Sequence, residues 1–239
     1  MKLDILAFAS HPDDAELGCS GTLIAHAYLG RKVGIVDLTA GELGTRGTPE
    51  IRAQESAAAT ELLGLQVRVN LGLPDGFFRS DRESLLAVVK VLRTYQPEIV
   101  LMNAIHDRHP DHGRGSNLVA EACFLSGLKQ IKTLTIAGEE QAAWRPKTVY
   151  HYIQDRYIEP DLVVDITDFW EKKVQTIKAF KSQFFDPNNT EPNTYISNPE
   201  FLHFIEARAR EMGHKIGVTF GEGFTCERQI GVRNLFDLV

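Results

Sequence analysis

The chain has 239 residues, 43% of them hydrophobic, and a formal net charge of -6. This length and apolar content can bury one substantial core, so we expect a single α/β domain over residues 1–239. The net negative charge disfavours proteins that bind nucleic acid or anionic membrane surfaces, and no apolar stretch approaches the length of a transmembrane helix.

Strand and helix patterns alternate through the first two-thirds of the chain. Apolar runs predict strands at 3–9, 33–38, 66–70, 98–103, 148–153 and 162–165. Apolar spacing predicts helices at 15–29, 49–63, 82–94, 112–127 and 168–180, and another after about residue 200. Near-continuous apolar strands that alternate with helices indicate a Rossmann-like α/β fold, in which helices cover both faces of a mostly parallel sheet.

Two later segments lack this alternation. Residues 182–199 are rich in Asn and Pro, so they cannot hold a long helix and are expected to form an irregular surface loop. Loops of this length often act as lids over a site. Residues 217–232 are expected to be extended.

Two related motifs each follow a predicted strand, His-Pro-Asp-Asp at 11–14 and His-Pro-Asp-His at 109–112. In an open parallel sheet, ligands bind in the crevice beyond the carboxyl ends of the strands, so the two motifs can meet there. Imidazole nitrogens and carboxylate oxygens are ordinary zinc donors, and three protein ligands leave a fourth position for a water molecule. The motifs therefore predict a metal site made by His11, Asp14 and His112.

The first motif also fits the start of a helix. Ser10 could cap that helix, Pro12 suits its first position, and Asp13 and Asp14 would favour its positive end. Capping does not account for the adjacent histidine or for the second motif. We therefore favour the metal site.

The remaining polar residues of the motifs suit the other roles of a metal hydrolase. Asp13 is expected to act as the general base that takes a proton from the water which the metal activates. His109 could support the oxyanion that develops when water attacks an amide carbonyl. Asp111 could orient His109 by accepting a hydrogen bond, or it could be a simple acid at a helix start.

These residues resemble the signature of the LmbE-like, or PIG-L, deacetylase family, in which a strand precedes His-Pro-Asp-Asp and a distal His-x-x-His follows. The resemblance implies a zinc-dependent hydrolase that removes the acetyl group from the nitrogen of an amino sugar. It implies the same roles for the motif residues: His11, Asp14 and His112 as zinc ligands, Asp13 as base, and His109 as the group that stabilises the tetrahedral intermediate. Ala15 stands where the family commonly has Glu, at a position without a chemical role. Fe²⁺ or another divalent ion could replace zinc at such ligands.

Four segments resemble, within that family, the bacillithiol-pathway enzymes that deacetylate N-acetylglucosaminyl malate. These segments are 41–55, 73–76, 107–112 and 182–196. A malyl group carries carboxylates, which arginine receives in forked hydrogen bonds, and Arg46 and Arg108 are the candidates. Each could instead be a solvated surface arginine. The alternative substrates are other N-acetylglucosamine conjugates: mycothiol-type inositol glycosides, detoxification conjugates or chitooligosaccharides.

Three further residues are candidates for substrate contact, but each also has a purely structural interpretation. Asp75 matches a family position near the sugar, although Pro-Asp-Gly is also an ordinary turn sequence. Tyr195 resembles a family tyrosine that reaches the substrate, although an aromatic residue that fixes its own loop would look the same. Arg52 could contact substrate, pair with Glu55 or cap the loop before its helix.

Two other classes of function compete with the hydrolase. A nucleotide- or S-adenosylmethionine-binding enzyme would suit a Rossmann-like fold, and Gly41, Gly44 and Gly47 follow the second strand. A dinucleotide fingerprint, however, should come directly after the first strand, where this chain has His-Pro-Asp-Asp. A sugar-binding protein without catalysis would need neither Asp13 nor His109.

Cellular context and assembly are predicted only broadly. Cys19, Cys123 and Cys226 are far apart and include no Cys-x-x-Cys pair, which favours a reducing compartment. Cys19 is expected to be a small apolar residue packed in a helix, with a reactive thiol as the alternative. The absence of a signal-peptide pattern at the first residues predicts a cytoplasmic enzyme. The family resemblance implies a homo-oligomer, a trimer or hexamer.

Overall fold

The computed structural model describes residues 1–237, and it places seven strands in one sheet. The strands are β1 (Ile5–Ala9), β2 (Val33–Asp37), β3 (Val67–Asn70), β4 (Ile99–Met102), β5 (Thr148–Tyr152), β6 (Leu162–Asp165) and β7 (Gly221–Thr225). The helices are α1 (Asp14–Tyr28), α2 (Pro49–Leu63), α3 (Arg82–Tyr95), α4 (Pro110–Ser126), α5 (Trp170–Lys178) and α6 (Pro199–Lys215).

The strand order in the sheet is β3-β2-β1-β4-β5-β7-β6. The first five of these strands pair in parallel, whereas β7 pairs antiparallel with both β5 and β6. The chain moves outward from β1 to β3 and then returns to place β4 on the other side of β1. This reversal makes the ends of β1 and β4 a topological switch point, the usual place for a ligand in such a sheet.

Local sequence explains several helix boundaries. The Thr48 side chain accepts a hydrogen bond from the Ile51 N–H, and Pro49 occupies the first turn of α2. Gly64 ends the same helix in the left-handed conformation that glycine adopts without steric cost. Pro110 and Pro199 similarly begin α4 and α6.

Two apolar clusters lie on opposite faces of the sheet. Alternate residues of β1 divide between them: Leu6 and Phe8 pack in the cluster that contains α3 and α4, while Ile5 and Ala7 pack in the cluster that contains α1. A strand whose residues are all buried, as in β1, requires such cover on both faces. The predicted fold class, a mostly parallel Rossmann-like sheet between helical layers, is confirmed.

The predicted elements lie where the patterns placed them, with differences of a few residues at their ends. The 182–199 segment forms no α-helix or strand before α6 begins at Pro199, as expected. Within the expected extended segment 217–232, only β7 joins the sheet. Cys19 is fully buried in α1, and burial raises the pKa of its thiol well above the usual value, so the packed, unreactive reading is correct. Among the described residues, no helix is both long and apolar enough to cross a membrane.

Candidate active site and metal centre

The two histidine motifs meet at the switch point between β1 and β4. The 11–14 motif follows β1 directly and leads into α1, and the 109–112 motif ends the connection from β4 to α4. The rings of His11 and His109 pack edge to face with centroids 4.7 Å apart, and those of His109 and His112 stack at 5.2 Å. The topology thus brings together residues that lie about a hundred positions apart in the sequence.

Asp14 lies between the two predicted histidine ligands. Its Oδ1 is 3.0 Å from His112 Nε2, and its Oδ2 is 3.5 Å from His11 Nδ1. Asp14 and His112 are buried, and only 12% of the His11 side chain is exposed. The three predicted ligands are therefore adjacent, but the potential ligand atoms that all lie within 4.8 Å of one another among the described residues belong to two other sets: His11 with His109 and His112, and His11 with Asp75 and Asp111.

The other ring nitrogen of each histidine is held by a carboxylate. His112 Nδ1 lies 2.5 Å from Asp107 Oδ2, and His11 Nε2 lies 3.0 Å from Asp75 Oδ1. Metal-binding histidines usually donate this second N–H to a carboxylate or carbonyl, which directs the lone pair of the first nitrogen toward the ion. His11 Nε2 also approaches Asp111 Oδ2 at 3.5 Å, so a second acidic group lies on that side of the ring.

Three hydrogen bonds fix the orientation of the Asp14 carboxylate. The His11 backbone N–H and the Asn103 side-chain amide donate to Oδ2, and the Gln154 amide donates to Oδ1 at 3.1 Å. Asn103 follows β4 and Gln154 follows β5, so the sheet itself holds these donors. Neither amide was identified from the sequence, because an isolated Asn or Gln after a strand carries no distinguishing pattern.

The surrounding acids make this place favourable for positive charge. Burial opposes a charged imidazole, yet the carboxylates outweigh it and raise the pKa of His112 to about 9 and that of His11 well above its usual range. Burial likewise opposes a charged Asp14, but His112 and His11 outweigh it and hold the pKa of that carboxyl well below its usual value. A divalent cation satisfies the same carboxylates while leaving both imidazoles neutral, so the residues present fit a metal ion.

Asp13 is held under strain at the start of α1. It is the N-terminal cap residue, with φ 119° and ψ -23°, and its side chain makes no capping hydrogen bond. Its Oδ2 lies 3.2 Å from Arg52 Nη2. Burial, opposed by Arg52, raises the pKa of Asp13 to about 7, which suits a group that gains and loses a proton near neutrality. A residue held in such a sparsely populated backbone conformation is often part of a functional site.

His109 has a defined hydrogen-bonding direction. Its Nδ1 accepts a hydrogen bond from the Asp111 backbone N–H at 3.3 Å, which makes His109 the cap of α4. Burial and the neighbouring His11 and His112 lower the pKa of His109, so the neutral ring is favoured. With Nδ1 as acceptor, the neutral ring carries its proton on Nε2 and can donate it to an oxygen atom.

Two expectations about the motifs are corrected by the structure. The Asp111 carboxylate does not orient His109: it accepts from the Gly76 N–H, pairs with Arg114 and faces His11. Ser10 does not cap α1 either, because its hydroxyl bonds the Asp111 carbonyl and the Asn103 side chain. Ser10 thus joins the ends of β1 and β4, whereas Asp111 lies at the start of its helix, as the alternative interpretation expected, and also faces His11.

Arg52 and Asp75 both line the cavity, and the substrate role expected for each stays a prediction. Arg52 does not pair with Glu55, which binds Ser182; it donates to the Pro12 carbonyl and pairs with Asp13 under the glycine-rich loop. Asp75 is more than a turn residue, because it holds His11 and accepts the Leu43 N–H. These contacts lower the pKa of Asp75 to about 2 despite burial, so it is a fixed negative charge.

A cavity of about 410 Å³ opens over the histidines. Arg108 lines its mouth, with its side chain 43% exposed, 3.5 Å from Asp155 and 4.3 Å from the ring centroid of Tyr195. Tyr195 also packs on Phe201 of α6. Arg46 is not in the cavity wall: it is buried, and it donates to the Glu191 carbonyl.

The PIG-L family profile, described as GlcNAc-PI de-N-acetylase, matches residues 6–123. A solved structure of a conserved protein from Thermus thermophilus superposes with a TM-score of 0.86 at 34% identity, and the match covers 98% of each chain.

Three curated relatives are similar over about three-quarters of this chain. The diacetylchitobiose deacetylase of Thermococcus kodakarensis is 29% identical, covering 75% of this chain and 70% of the relative. The 4-oxalmesaconate hydratase of Pseudomonas putida is 28% identical, covering 74% and 73%. A probable N-acetyl-alpha-D-glucosaminyl L-malate deacetylase of Bacillus anthracis is 26% identical, covering 75% and 81%.

Proposed function

This chain belongs to the PIG-L, or LmbE-like, family of deacetylases, and from that premise we propose that it hydrolyses the N-acetyl group of N-acetylglucosaminyl malate with the help of a bound divalent cation. The coarser conclusion, a deacetylase that acts on N-acetylglucosamine compounds, rests on the named activities of the relatives. The malyl aglycone, the bacillithiol pathway and zinc as the ion belong to the proposal.

One observation carries the assignment of roles. Asp14 lies between His11 and His112, whose outer nitrogens are each held by a carboxylate, and the buried Asp13 is the adjacent residue with a pKa of about 7. A site that only bound sugar would gain nothing from a strained, buried acid at this position. We therefore assign the three as metal ligands and Asp13 as the base.

The metal, when bound, would supply Lewis-acid polarisation of the amide carbonyl and would acidify a water molecule. Asp13 accepts the proton of the attacking water and passes it to the amide nitrogen as the C–N bond breaks. The His109 Nε2–H donates a hydrogen bond to the carbonyl oxygen as negative charge develops there. Acetate and the free amine are the products. Arg52 holds Asp13 in place by pairing with its carboxylate.

Arg108 supports the malyl substrate. It is the most exposed of the three arginines that line the cavity, Arg52, Arg108 and Arg208, and its guanidinium could receive a carboxylate in a forked pair. Arg46 leaves the list of proposed substrate contacts because it is buried away from the cavity. The similarity to the malate deacetylase over 81% of that protein favours the same aglycone.

A second reaction is favoured by one of the relatives. The 28% identity with a 4-oxalmesaconate hydratase shows that a similar chain adds water to a carbon–carbon double bond. An acid that activates water beside a cation would suit hydration as well as amide hydrolysis. Amide hydrolysis differs from hydration because its leaving nitrogen needs a proton. Asp13, with a pKa of about 7, is suited to give that nitrogen the proton it took from water.

The test is a comparison of three substrates with purified, zinc-loaded protein. N-acetylglucosaminyl malate and diacetylchitobiose are assayed for released amine and acetate, and 4-oxalmesaconate for loss of its double bond. We expect rapid release from the malyl glycoside. If the enzyme prefers diacetylchitobiose, the deacetylase activity stands and the assignment of a malyl substrate is refuted. Turnover of 4-oxalmesaconate alone would replace hydrolysis by hydration.

A further inference from the structure

One part of the cavity wall is apolar. It comes from α1, from the residue after β5 and from α6; we call this part the apolar arm, and it consists of Leu17, Ile153, Phe201, Ile205, Ala209 and Met212. None of these residues belongs to the two motifs, although the Leu17 N–H bonds the Asp13 carbonyl. The proposed reaction with acetyl does not account for so much apolar wall.

Burial distinguishes the arm from the mouth. Leu43, Gly44, Arg108 and Pro110 border the mouth and are exposed. Four of the six arm residues are buried, and Leu17 and Ile205 are partly buried. A solvated group is therefore favoured at the mouth and an apolar group in the arm.

The arm and the metal centre share structural supports. The Gln154 side chain donates to Asp14, while its backbone carbonyl accepts a hydrogen bond from Arg208 of α6 at 3.1 Å. Leu17 lies one helical turn after Asp13, and the Leu17 N–H bonds the Asp13 carbonyl. Leu17 of the arm is thus bonded directly to Asp13, so apolar wall begins beside the place where the proposed reaction puts the substrate carbonyl.

The charged pair in the arm wall is already satisfied. Lys173 and Glu222 are 2.6 Å apart and almost fully buried. Lys173 Nζ also donates to the Leu17 carbonyl, and Glu222 accepts the N–H groups of Gly21 and Thr22. These groups leave no free charge to attract a polar substituent, so the arm offers its occupant apolar contact.

The two substituents of an amide carbonyl lie on opposite sides of the carbonyl carbon. The nitrogen side carries the sugar and its aglycone, whose hydroxyl and carboxylate groups require water or polar partners and so belong at the mouth. The acyl side is hydrocarbon and points the other way. An acetyl methyl would occupy only the beginning of the arm.

We propose that the apolar arm receives the acyl chain, and that the enzyme hydrolyses N-acyl amino sugars whose acyl groups are longer than acetyl. This inference rests on the proposed amide hydrolysis and adds a substrate class to it. Each methylene that enters the arm is worth about fourfold in binding.

The experiment measures kcat/KM for the N-acetyl, N-butyryl and N-hexanoyl forms of one glucosamine glycoside, with the zinc-loaded enzyme. We expect the N-butyryl substrate to be at least as good as the N-acetyl one. Ala209→Leu should lower the butyryl-to-acetyl ratio at least about tenfold, because the added methyl groups fill the arm. The control is Ala207→Leu, the same change on an exposed face of α6, which should keep the wild-type ratio.

Binding of hexanoate relative to acetate, measured by calorimetry, gives a second readout, and Ala209→Leu should weaken hexanoate selectively. Ile205→Phe tests the same wall should Ala209→Leu fail to fold. If kcat/KM for the N-butyryl substrate is more than tenfold below that for the N-acetyl substrate, the proposed role of the arm is refuted and the deacetylase activity stands. Absence of turnover on all three amides would refute the proposed function together with the arm. If Ala209→Leu lowers kcat/KM by the same factor for all three acyl groups, the proposal is also overturned.

Discussion

The two ends of the cavity differ in how they are built. At the metal end, the candidate ligands and the base come from the loops after β1 and β4, and each is fixed by buried hydrogen bonds. Away from the metal, the arm comes largely from α6 and is apolar, whereas the mouth is bordered by exposed residues that follow β2 and β4. The difference indicates that the reaction is specified at one end and the substrate at the other.

The family match follows this division for the arm but not for the mouth. Residues 6–123 include both motifs and all of the proposed ligands, and they end before β5. All of the arm residues except Leu17 lie beyond that range, whereas Arg108 at the mouth lies within it. We expect substitutions at the metal end to affect every substrate alike, and substitutions at the other end to change preference among substrates.

The largest effect is expected from Asp13→Asn. Asparagine keeps the shape of the side chain but cannot accept the proton of water, so kcat should fall by about 10²- to 10⁴-fold on every amide. Zinc content, measured by atomic absorption, should stay at the wild-type level because Asp13 is not a proposed ligand. Loss of zinc in this variant would show that Asp13 belongs to the metal site. His112→Ala is the contrasting variant, in which zinc should be lost.

The pH profile gives the next effect. The pKa of Asp13 is raised, so this group is protonated and inactive below about pH 7 and becomes a base as the pH rises. A bound cation favours the ionised form of Asp13. The acidic limb of the pH profile, where activity falls with decreasing pH, is therefore expected at or below pH 7. With a pKa of 7, kcat/KM at saturating zinc should fall about 50-fold from pH 7 to pH 5, because the ionised fraction of Asp13 falls by that factor. The residual activity of Asp13→Asn should not show this fall in activity at low pH. If the fall persists in the variant, it reports loss of metal and not protonation of Asp13.

A smaller loss is expected from Asp107→Asn. Removing the negative charge beside His112 Nδ1 should weaken zinc binding about 10- to 100-fold, as measured by competition with a chelator. Asp155→Asn is the matched control, since this acid lies in the cavity wall and contacts Arg108 at the mouth. Equal loss in both variants would mean that Asp107 acts through the general charge of the cavity and not through His112.

Asp107 also illustrates what the sequence did not reveal. The motifs at 11–14 and 109–112 predicted which residues meet, because strand ends in a parallel sheet share one edge and the ligand types are distinctive. The partners of those residues could not be predicted. Asn103 and Gln154 reach Asp14 from the ends of other strands, and Asp107 bonds His112 within the connection from β4 to α4; no spacing rule predicts these contacts.

The partners expected for Asp111 and Arg52 were wrong for the same reason. Asp111 was paired with His109 and Arg52 with Glu55, both close in sequence, whereas the structure pairs Asp111 with His11 and Arg52 with Asp13. Asp75, expected near the sugar or in a turn, lines the cavity and contacts His11. The fold was predictable because it follows from apolar periodicity, whereas charged side chains pair according to three-dimensional proximity.

The smallest effect is expected from Arg108→Gln at the mouth. This change removes the forked donor while keeping a polar side chain, so KM for N-acetylglucosaminyl malate should rise about tenfold. KM for diacetylchitobiose, which has no carboxylate, should change less than about twofold. Arg156→Gln is the control, because Arg156 is exposed nearby but lies outside the cavity wall.

The pattern of losses decides how the mouth works. A selective loss on the malyl glycoside means that Arg108 contacts the aglycone and that the two ends of the cavity act separately. An equal loss on both glycosides means that Arg108 acts through Tyr195, whose ring it covers, and so through the position of the 182–199 loop. Tyr195→Leu separates these cases, because it removes the aromatic face and leaves the guanidinium in place. If Tyr195→Leu reproduces the equal loss, the loop serves every substrate, and the division between reaction and substrate choice fails at the mouth.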